Sequence, residues 1–288
     1  MSLVQPQVKG PPLRVGIQGV AASFHDVAAR KYFHDRAIEP VEFSSFQTLC
    51  DALSRQQTDF ALMAIENSIA GSILPNYQLL EKHRFKIIGE VYQRIVMNIM
   101  AIPGQTIDDI RYVMSHPMAF LQCEAFFSRH PHLKRIEAAD TAESAKEIFS
   151  SSMTSYAAIA SQLAATTYKL NLLEEGIETD KQNYTRFLVI SRGEKIYPDM
   201  PNKTSLRLEL SHRPGALLAV LGSFDAHKLN MTKLQSVPIL GRPYEYSFHI
   251  DLHWEDSAEF EQAMREIETK SINLIRFGEY QSNWKANS

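Results

Sequence analysis

Short apolar segments of strand length alternate with segments of helical periodicity between residues 13 and 193 of the 288-residue chain. Phe60–Ile65 is a nearly continuous apolar run, which is typical of a strand with both faces buried. A helix capped by Ser23 is predicted after the first strand, and another carries apolar residues at helical spacing from Phe46 to Leu53. This order predicts an α/β fold with mostly parallel strands. The predicted strands are Leu13–Gln18, Phe60–Ile65, Ile87–Val91, Val96–Ile102, Tyr112–Ser115, Arg135–Ala138, Ala157–Ala160 and Arg186–Ile190.

The pattern changes after a polar, proline-bearing segment at 194–203, which is predicted to be a linker. Beyond it, alternating apolar residues and helical spacing follow one another in the order βαββαβ. This order is typical of a ferredoxin-like module, with an antiparallel sheet and helices on one face. The predicted strands lie at Leu206–Leu210, Asn230–Pro238, Tyr246–Leu252 and Ile272–Phe277, with helices opening at Pro214 and around Phe260–Ile267.

Composition excludes several classes of protein. The 30 basic and 33 acidic residues give a net charge of −3 without a block of like charge, so no nucleic-acid partner is expected. Cys50 and Cys123 form no CxxC pair, so we expect two reduced, buried thiols and not a disulfide framework or a zinc site. Apolar runs of about six residues are far shorter than a membrane span of roughly 20. The first dozen residues do not follow the pattern of a signal peptide, so we expect a cytoplasmic protein without membrane contact.

Polar side chains cluster near the ends of four predicted strands, where ligands bind in open α/β sheets. Each cluster also fits an ordinary structural role, such as a capping box for Asp140 with Glu143, or a cap for Ser115. Together they bring hydroxyls, an amide and helix N-termini toward one possible cleft, which suits a small carboxylate ligand. The clusters are Glu66–Ser68, Ser115–Pro117, Asp140-Thr141 and Thr185–Phe187.

The sequence contains no positive signal for a cofactor. No GxGxxG follows a strand, and neither a P-loop nor a GxSxG segment occurs. The ten histidines do not stand at a metal-ligand spacing with acidic partners. We therefore predict neither a cofactor nor a metal.

In their order and spacing, these segments resemble the prephenate dehydratase family with a C-terminal ACT domain. The resemblance extends from Leu13 to Phe277, nearly the whole chain. The matching segments are Ile65–Ser72 (IENS-x-x-G-S), Ser115–Pro117 (SHP), Asp140–Ala142, Ala157–Ser161, Asn183–Phe187 (N-x-TRF), Pro214–Leu218 (similar to GALL) and Asn230–Lys233.

The resemblance implies a catalytic domain at 13–193, with two subdomains around a cleft as in periplasmic binding proteins. One subdomain would be 13–91 plus 185–193, and the other 92–180. A linker at 194–203 would lead to an ACT regulatory domain at 204–280. Homodimers or homotetramers are usual for the family.

The family converts prephenate to phenylpyruvate by decarboxylating dehydration, a step in the biosynthesis of L-phenylalanine. The resemblance implies that Thr185 donates a hydrogen bond to the departing hydroxyl, with Glu66 or His116 as the source of a proton. Asn67 completes the catalytic set. Arg186 is expected to order its loop or to hold the surviving carboxylate, and not the leaving one. The remaining substrate-binding residues would be Ser68, Ser115, Thr141, Ala142 and Phe187.

L-Phenylalanine is the implied effector, bound in the ACT domain and biasing the cleft toward a less active arrangement. The expected effector-binding residues are Gly215, Ala216, Leu217, Leu218, Asn230, Gln235, Ser236 and Pro238.

Three segments depart from the family pattern. Met118 follows the SHP motif in place of a glutamine, and Ala22–His25 replaces GTFS. Gln235–Pro238 reads QSVP in place of ESRP. These departures leave alternatives open. Arogenate dehydratases share the motifs but act on an amino acid. A non-catalytic amino-acid sensor would keep the cleft without turnover, and a solute-binding protein would share the catalytic fold.

Overall fold

The structure is a computed structural model that describes residues 11–193, 200–239 and 241–282. Residues 1–10, for which no signal peptide is expected, and residues 194–199 of the predicted linker lie outside the described residues. Contacts divide the chain into two compact units, Met1–Asn76 with Val91–Phe187 and Tyr77–Glu90 with Leu188–Ser288. The second unit thus includes residues 77–90, which the sequence assigns to the catalytic domain.

The helices and strands follow the predicted alternation along the chain. The strands are β1 (Leu13–Gln18), β2 (Ile38–Phe43), β3 (Phe60–Asn67), β4 (Gly71–Ser72), β5 (Lys86–Arg94), β6 (Asn98–Ala101), β7 (Tyr112–Ser115), β8 (Lys134–Glu137), β9 (Tyr156–Ala160), β10 (Asn171–Glu174), β11 (Tyr184–Ser191), β12 (Lys203–Glu209), β13 (Asn230–Pro238), β14 (Tyr246–His253) and β15 (Asn273–Tyr280). The helices are α1 (Phe24–Tyr32), α2 (Phe46–Ser54), α3 (Leu74–His83), α4 (Pro117–Gln122), α5 (Glu124–Arg129), α6 (Thr141–Ser150), α7 (Gln162–Thr167), α8 (Ala216–Ala226) and α9 (Ser257–Lys270).

The first sheet has the strand order β2-β1-β3-β11-β5, with β4 paired to β3. β1 pairs in parallel with both β2 and β3. Residues 60–65 of β3 are all buried, as the continuous apolar run predicts for a strand covered on both faces. The predicted cap of α1 is also confirmed, because Ser23 Oγ accepts a hydrogen bond from the amide of Asp26.

The second sheet has the order β10-β6-β9-β7-β8 and is mixed. β7 is parallel to β8 and β9, but β6 is antiparallel to β9 and β10. Four of its five strands therefore run in one direction, and β6 runs opposite to them, as an exception to the predicted parallel arrangement. The apolar pattern of β6 records its burial and not the direction of its neighbours.

Besides the two-residue β4, two strands are absent from the prediction, and both have weak sequence signals. β2 contains Pro40 between charged residues and lies at the edge of its sheet, where a missing backbone donor is tolerated. β10 has four residues and is also an edge strand. Neither carries the apolar run that identifies a buried strand.

The C-terminal module confirms the predicted βαββαβ order. Its sheet has the order β13-β14-β12-β15, and all three pairings are antiparallel. Leu206 and Leu208 of β12 belong to the core formed with α8 and α9. Helix α8 begins at Ala216, after Gly215 in a left-handed conformation, so Pro214 precedes the helix and does not open it.

Within the part of the chain that the structure describes, no helix is both long and apolar enough to cross a membrane.

Candidate active site

A cleft of about 260 Å³ lies within the first unit and is lined by residues from several loops and strand ends. Five of the predicted site residues line it, although they are widely separated in the sequence. They are Asn67, His116, Thr141, Thr185 and Phe187. The convergence that the sequence analysis expected is therefore observed for these five.

Three helices begin at this cleft. Ser23 is the N-cap of α1, His116 of α4 and Asp140 of α6, and all three residues line the cleft. The exposed amides at a helix N-terminus carry partial positive charge and favour anions. The charged side chains of the described lining include Asp140 but neither lysine nor arginine. Attraction of an anionic ligand thus depends on backbone amides and neutral polar groups.

The best-defined hydrogen-bond network in the cleft is centred on Asn67, at the end of β3. Its Oδ1 accepts hydrogen bonds from the amides of Ile69 and Ala70, both at 2.9 Å. Its Nδ2 donates to Thr185 Oγ1 at 3.0 Å and to Asn183 Oδ1 at 2.8 Å. Because Oδ1 receives two backbone N–H donors, it is the oxygen of the side-chain amide, and the other terminal atom is the nitrogen. Thr185 Oγ1 therefore acts as an acceptor toward Asn67.

This network fixes the direction in which Thr185 can donate. Its hydroxyl has one proton. Asn67 Nδ2 is the donor in the hydrogen bond between them and cannot accept that proton. Thr185 lines the cleft and is only 9% exposed. Its proton is therefore available to a ligand in the cleft.

Asn183 extends the network to the second sheet's side of the cleft. Its Nδ2 donates to Gln122 Oε1 at 2.9 Å, and Gln122 also lines the cleft. Gln122 is the last residue of α4. The end of β3, the start of β11 and α4 are thus joined by a continuous chain of side-chain amides.

Glu66 and Arg186 are not among the residues that line the cleft. They form an ion pair, with Arg186 Nη1 3.2 Å from Glu66 Oε1, and Arg186 is buried. In β11, Thr185 and Phe187 line the cleft and Arg186 between them does not, as expected where successive side chains point to opposite faces. The ion pair agrees with the predicted alternative in which Arg186 orders its loop.

Three other predicted binding residues use their polar groups in hydrogen bonds within the protein. Ser115 is fully buried, and its hydroxyl donates to the carbonyl of Ile159. The amide of Ala142 donates to Asp140 Oδ1 at 2.8 Å, as part of the helix cap. Ser68 Oγ donates to the carbonyl of residue 182 and accepts from the amide of residue 184. None of the three is among the residues that line the cleft, so the structure does not bring them together with the other five.

His116 caps its own helix, since its Nδ1 accepts a hydrogen bond from the amide of Met118 at 3.1 Å. The proton of the neutral ring is therefore on Nε2. Met118 also lines the cleft, at the position where the family pattern has glutamine. A thioether replaces an amide there, which makes this wall less polar.

Two titratable residues of the cleft are outside the predicted set of site residues. His25 lies in the first turn of α1, and Asp140 caps α6. Asp140 Oδ1 accepts two backbone hydrogen bonds, and burial raises the pKa of its carboxyl. The sequence analysis named Asp140 beside Thr141 but only as a helix cap, and it passed over His25 although the loop before α1 follows a strand.

Comparison with known proteins agrees with this geometry. The model of the family described as prephenate dehydratase matches residues 15–195. The chain belongs to the prephenate dehydratase family. Its members are carbon–oxygen lyases of aromatic amino acid biosynthesis.

Curated relatives of this family are found in plants and bacteria. Arogenate dehydratase/prephenate dehydratase 2 of Arabidopsis thaliana is 35% identical, over 96% of this chain and 75% of its own length. Arogenate dehydratase 2 of Petunia hybrida is 40% identical, over 80% of this chain and 58% of its own length. A bifunctional chorismate mutase/prephenate dehydratase of Enterobacter agglomerans is 32% identical, over 93% of this chain and 70% of its own length.

Solved structures share the fold of the chain. A protein described as GqqA, a novel type of quorum quenching acylase, has a TM-score of 0.84 and 27% identity, over 94% of this chain and 98% of its own. The prephenate dehydratase of Arthrobacter aurescens in complex with L-Phe has a TM-score of 0.82 and 24% identity, over 93% of this chain and 90% of its own.

The C-terminal module of this family member has a smaller pocket of about 130 Å³ near the start of α8. Of the predicted effector residues, Ala216 and Leu217 line it, while Leu218 is 72% exposed. The other five (Asn230, Gln235, Ser236, Pro238 and Gly215) are not among its lining residues. Arg213, Glu245 and Phe248 line it and were missed.

Proposed function

We propose that the chain converts prephenate to phenylpyruvate, water and carbon dioxide. The reaction takes up one proton. The carbon–oxygen bond of the ring hydroxyl breaks, and the bond between the ring and its carboxylate supplies the electron pair that makes the ring aromatic. Aromatisation provides the driving force, so the protein must orient the ring and assist the departing hydroxyl.

The hydrogen bond from Asn67 to Thr185 is the observation that carries this proposal. It leaves the Thr185 proton directed at the cleft, where it can be donated to the departing hydroxyl. A positioned donor of this kind contributes a rate factor of about 10²–10⁴. The Thr185 hydroxyl is too weak an acid to give up its proton alone. We propose His116, which lines the cleft, as the group that replaces it. A protonated His116, with Nδ1 released from the Met118 amide, would give up its Nε2 proton and remain as the neutral imidazole.

The surviving side-chain carboxylate would be held at the N-terminus of α1 and by the hydroxyl of Thr141 at the start of α6, because the Asp140 cap already accepts the amides of residues 142 and 143. Ser23 and Thr141 stand at these two termini and line the cleft. Backbone amides and hydroxyls are sufficient to bind one carboxylate. The leaving carboxylate then meets no lysine or arginine among the described lining residues, which avoids stabilising the ground state.

Turnover of prephenate tests the proposal. Purified protein should release phenylpyruvate and carbon dioxide in equal amounts. Intact prephenate after prolonged incubation, with a folded protein, would favour the non-catalytic sensor.

Arogenate dehydratase is a second candidate function, and Asp140 is the observation that favours it. Asp140 Oδ2 has no hydrogen-bond partner among the described residues and borders the cleft. A carboxylate there suits the ammonium group of an amino acid better than a keto group. Two curated relatives are named arogenate dehydratases as well.

Asp140→Asn separates the two substrates. Asparagine is an equally good helix cap, so the substitution removes the charge and keeps α6. A charge-assisted hydrogen bond contributes about 1.5–3 kcal/mol. If Asp140 binds the ammonium, kcat/KM for arogenate should fall about 10- to 150-fold, while kcat/KM for prephenate is unchanged or higher. Equal effects on both substrates would contradict this role.

An acylase function receives no support from the cleft. Acyl transfer by a hydroxyl nucleophile needs an adjacent base. The cleft hydroxyls of Ser23, Thr141 and Thr185 have neither a histidine nor a carboxylate as hydrogen-bond partner among the described residues. We expect no amide hydrolysis by the purified protein.

We propose that the C-terminal module is an ACT domain at 204–280 and that its pocket binds L-phenylalanine. Arg213 and Glu245 offer one charge of each sign, and Leu217 and Phe248 offer apolar contact. A zwitterion with an aromatic side chain fits this set of groups. Arg213→Gln should abolish inhibition by phenylalanine without changing the uninhibited rate. Unchanged inhibition, or no heat on titration of the wild type with phenylalanine, would contradict the assignment.

We further propose a homodimer or homotetramer in a reducing, cytoplasmic environment. β13 is an edge strand with Met231 and Leu234 exposed, which suits pairing between two modules. Cys50 and Cys123 are buried and form no disulfide among the described residues. Light scattering of the wild type and of Leu234→Lys tests the pairing, and a monomeric wild type would exclude it.

A further inference from the structure

His25 is a histidine of the cleft that the proposed mechanism does not use. It lies in the first turn of α1, after the cap residue Ser23. Its ring packs against Phe187 with 4.9 Å between centroids, and against Phe46 with 5.4 Å. His25 and Phe187 both line the cleft. The imidazole is therefore held by two aromatic rings at the cleft wall.

Nε2 of His25 is buried and has no hydrogen-bond partner among the described residues. An unsatisfied polar atom in such surroundings is costly, and a small rotation of the ring toward a ligand in the cleft would satisfy it. Burial lowers the pKa of His25 to about 3, so the imidazole is neutral near pH 7. A neutral imidazole offers one donor and one acceptor and no charge.

His25 packs beside Phe187 of β11, and the position of Phe187 along this strand indicates which part of a ligand His25 meets. Thr185 and Phe187 are two residues apart and both line the cleft. Two residues of a strand span about 6.6 Å, comparable with a six-membered ring that carries a substituent at each end. If Thr185 faces the ring hydroxyl, the opposite ring carbon lies near Phe187 and His25. In prephenate, that carbon carries the carboxylate that leaves.

We propose that Nε2 of His25 donates a hydrogen bond to the ring carboxylate of the substrate. This inference rests on the proposed function and identifies a specific contact within it. A cation beside this carboxylate would slow its departure as neutral carbon dioxide, because an ion pair stabilises the ground state. A neutral donor between aromatic rings orients the carboxylate without that penalty. The contact is made in the bound substrate and disappears as carbon dioxide forms.

The test compares His25→Phe with His25→Gln, using prephenate as substrate and phenylpyruvate as inhibitor. Phenylalanine preserves the ring packing and removes both nitrogens, while glutamine restores a donor near the position of Nε2. We expect His25→Phe to raise KM about five- to tenfold with kcat within threefold, because the hydrogen bond is still present when the bond between ring and carboxylate begins to break, so its loss weakens the ground state and the transition state alike. His25→Gln should recover most of the KM. Phenylpyruvate lacks the ring carboxylate, so its inhibition constant should be unchanged.

Three outcomes would overturn the proposal. An unchanged KM in His25→Phe shows that the nitrogens are not used. An inhibition constant for phenylpyruvate that rises as much as KM indicates a general packing role. A wild type that does not convert prephenate removes the proposed function itself, which the other two outcomes leave intact.

A measurement that does not alter His25 is available should His25→Phe fold poorly. In ¹⁵N-labelled Thr185→Val protein, where turnover is expected to be slow, prephenate should shift the imidazole Nε2 resonance of His25. Phenylpyruvate should shift it much less. Equal shifts with both ligands, or no shift with prephenate, would also overturn the proposal.

Discussion

Replacing Thr185 with valine separates the chemical role of its hydroxyl from its structural role. Valine keeps the β-branched shape in β11 and removes one oxygen. The lost contact is the 3.0 Å hydrogen bond from Asn67 Nδ2. That nitrogen retains Asn183 Oδ1 at 2.8 Å and the carbonyl of Tyr184 at 3.2 Å, so no buried donor is left without a partner. We expect a loss of about 1 kcal/mol in the free energy of unfolding.

The effect of Thr185→Val on turnover should be much larger. Removing one positioned donor from a transition state costs about 10²–10³ in kcat, or roughly 2.7–4 kcal/mol. The expected pair of results is therefore a fall in Tm of about 2–4 °C and a fall in kcat of at least a hundredfold. Thermal unfolding and the rate of phenylpyruvate formation measure the two quantities on the same preparation.

Thr185→Ser is the matched control, because it retains the hydroxyl. Its kcat should stay within about tenfold of the wild type. The reasoning is refuted if Thr185→Val keeps more than a tenth of the wild-type kcat. It is also refuted if Thr185→Ser loses as much as Thr185→Val, since the hydroxyl would then not be the active group.

Other predictions concern stability. Gly278→Ala should lower Tm markedly, because the added Cβ would lie 2.1 Å from a backbone carbonyl oxygen of β5. The control Gly222→Ala, which adds a Cβ in open space within α8, should leave Tm nearly unchanged. Glu66→Gln should destabilise the fold by about 1–3 kcal/mol by removing the charge beside buried Arg186, with kcat changed less than tenfold; a hundredfold loss would restore Glu66 as the proton source. Burial lowers the pKa of His249 to about 4, so on acidification this histidine takes up a proton in the unfolded chain at a higher pH than in the folded protein. The free energy of unfolding should therefore decrease between about pH 6.5 and pH 4, by up to about 1.4 kcal/mol per pH unit. A His249→Gln variant with the same decline in Tm would contradict this.

The strands that could be predicted from the sequence are those whose apolar runs reflect burial. Leu13–Gln18 and Tyr112–Ser115 are reproduced with the same bounds. β2 could not be recognised, since an edge strand needs no apolar run and tolerates Pro40. The antiparallel direction of β6 depends on which strands meet across a sheet, and no local pattern encodes that.

Part of the predicted set of residues meets in the cleft, where the motif and the strand geometry agree. Asn67 and Thr185 reach the cleft, whereas Glu66 and Arg186 pair with each other. The alternation of side chains along β11 would have separated Arg186 from Thr185 and Phe187. His25 was passed over because the loop after β1 was treated only as a departure from a motif, although polar residues after a strand had been singled out elsewhere in the chain.

A crystal structure of the protein with phenylpyruvate bound tests the central claim most directly. The account predicts the ligand in the cleft between Asn67, His116 and Thr185, with its carboxylate at the N-terminus of α1 or α6 and its ring beside Phe187. A ligand bound elsewhere, or one whose carboxylate pairs with Arg186, would contradict the account.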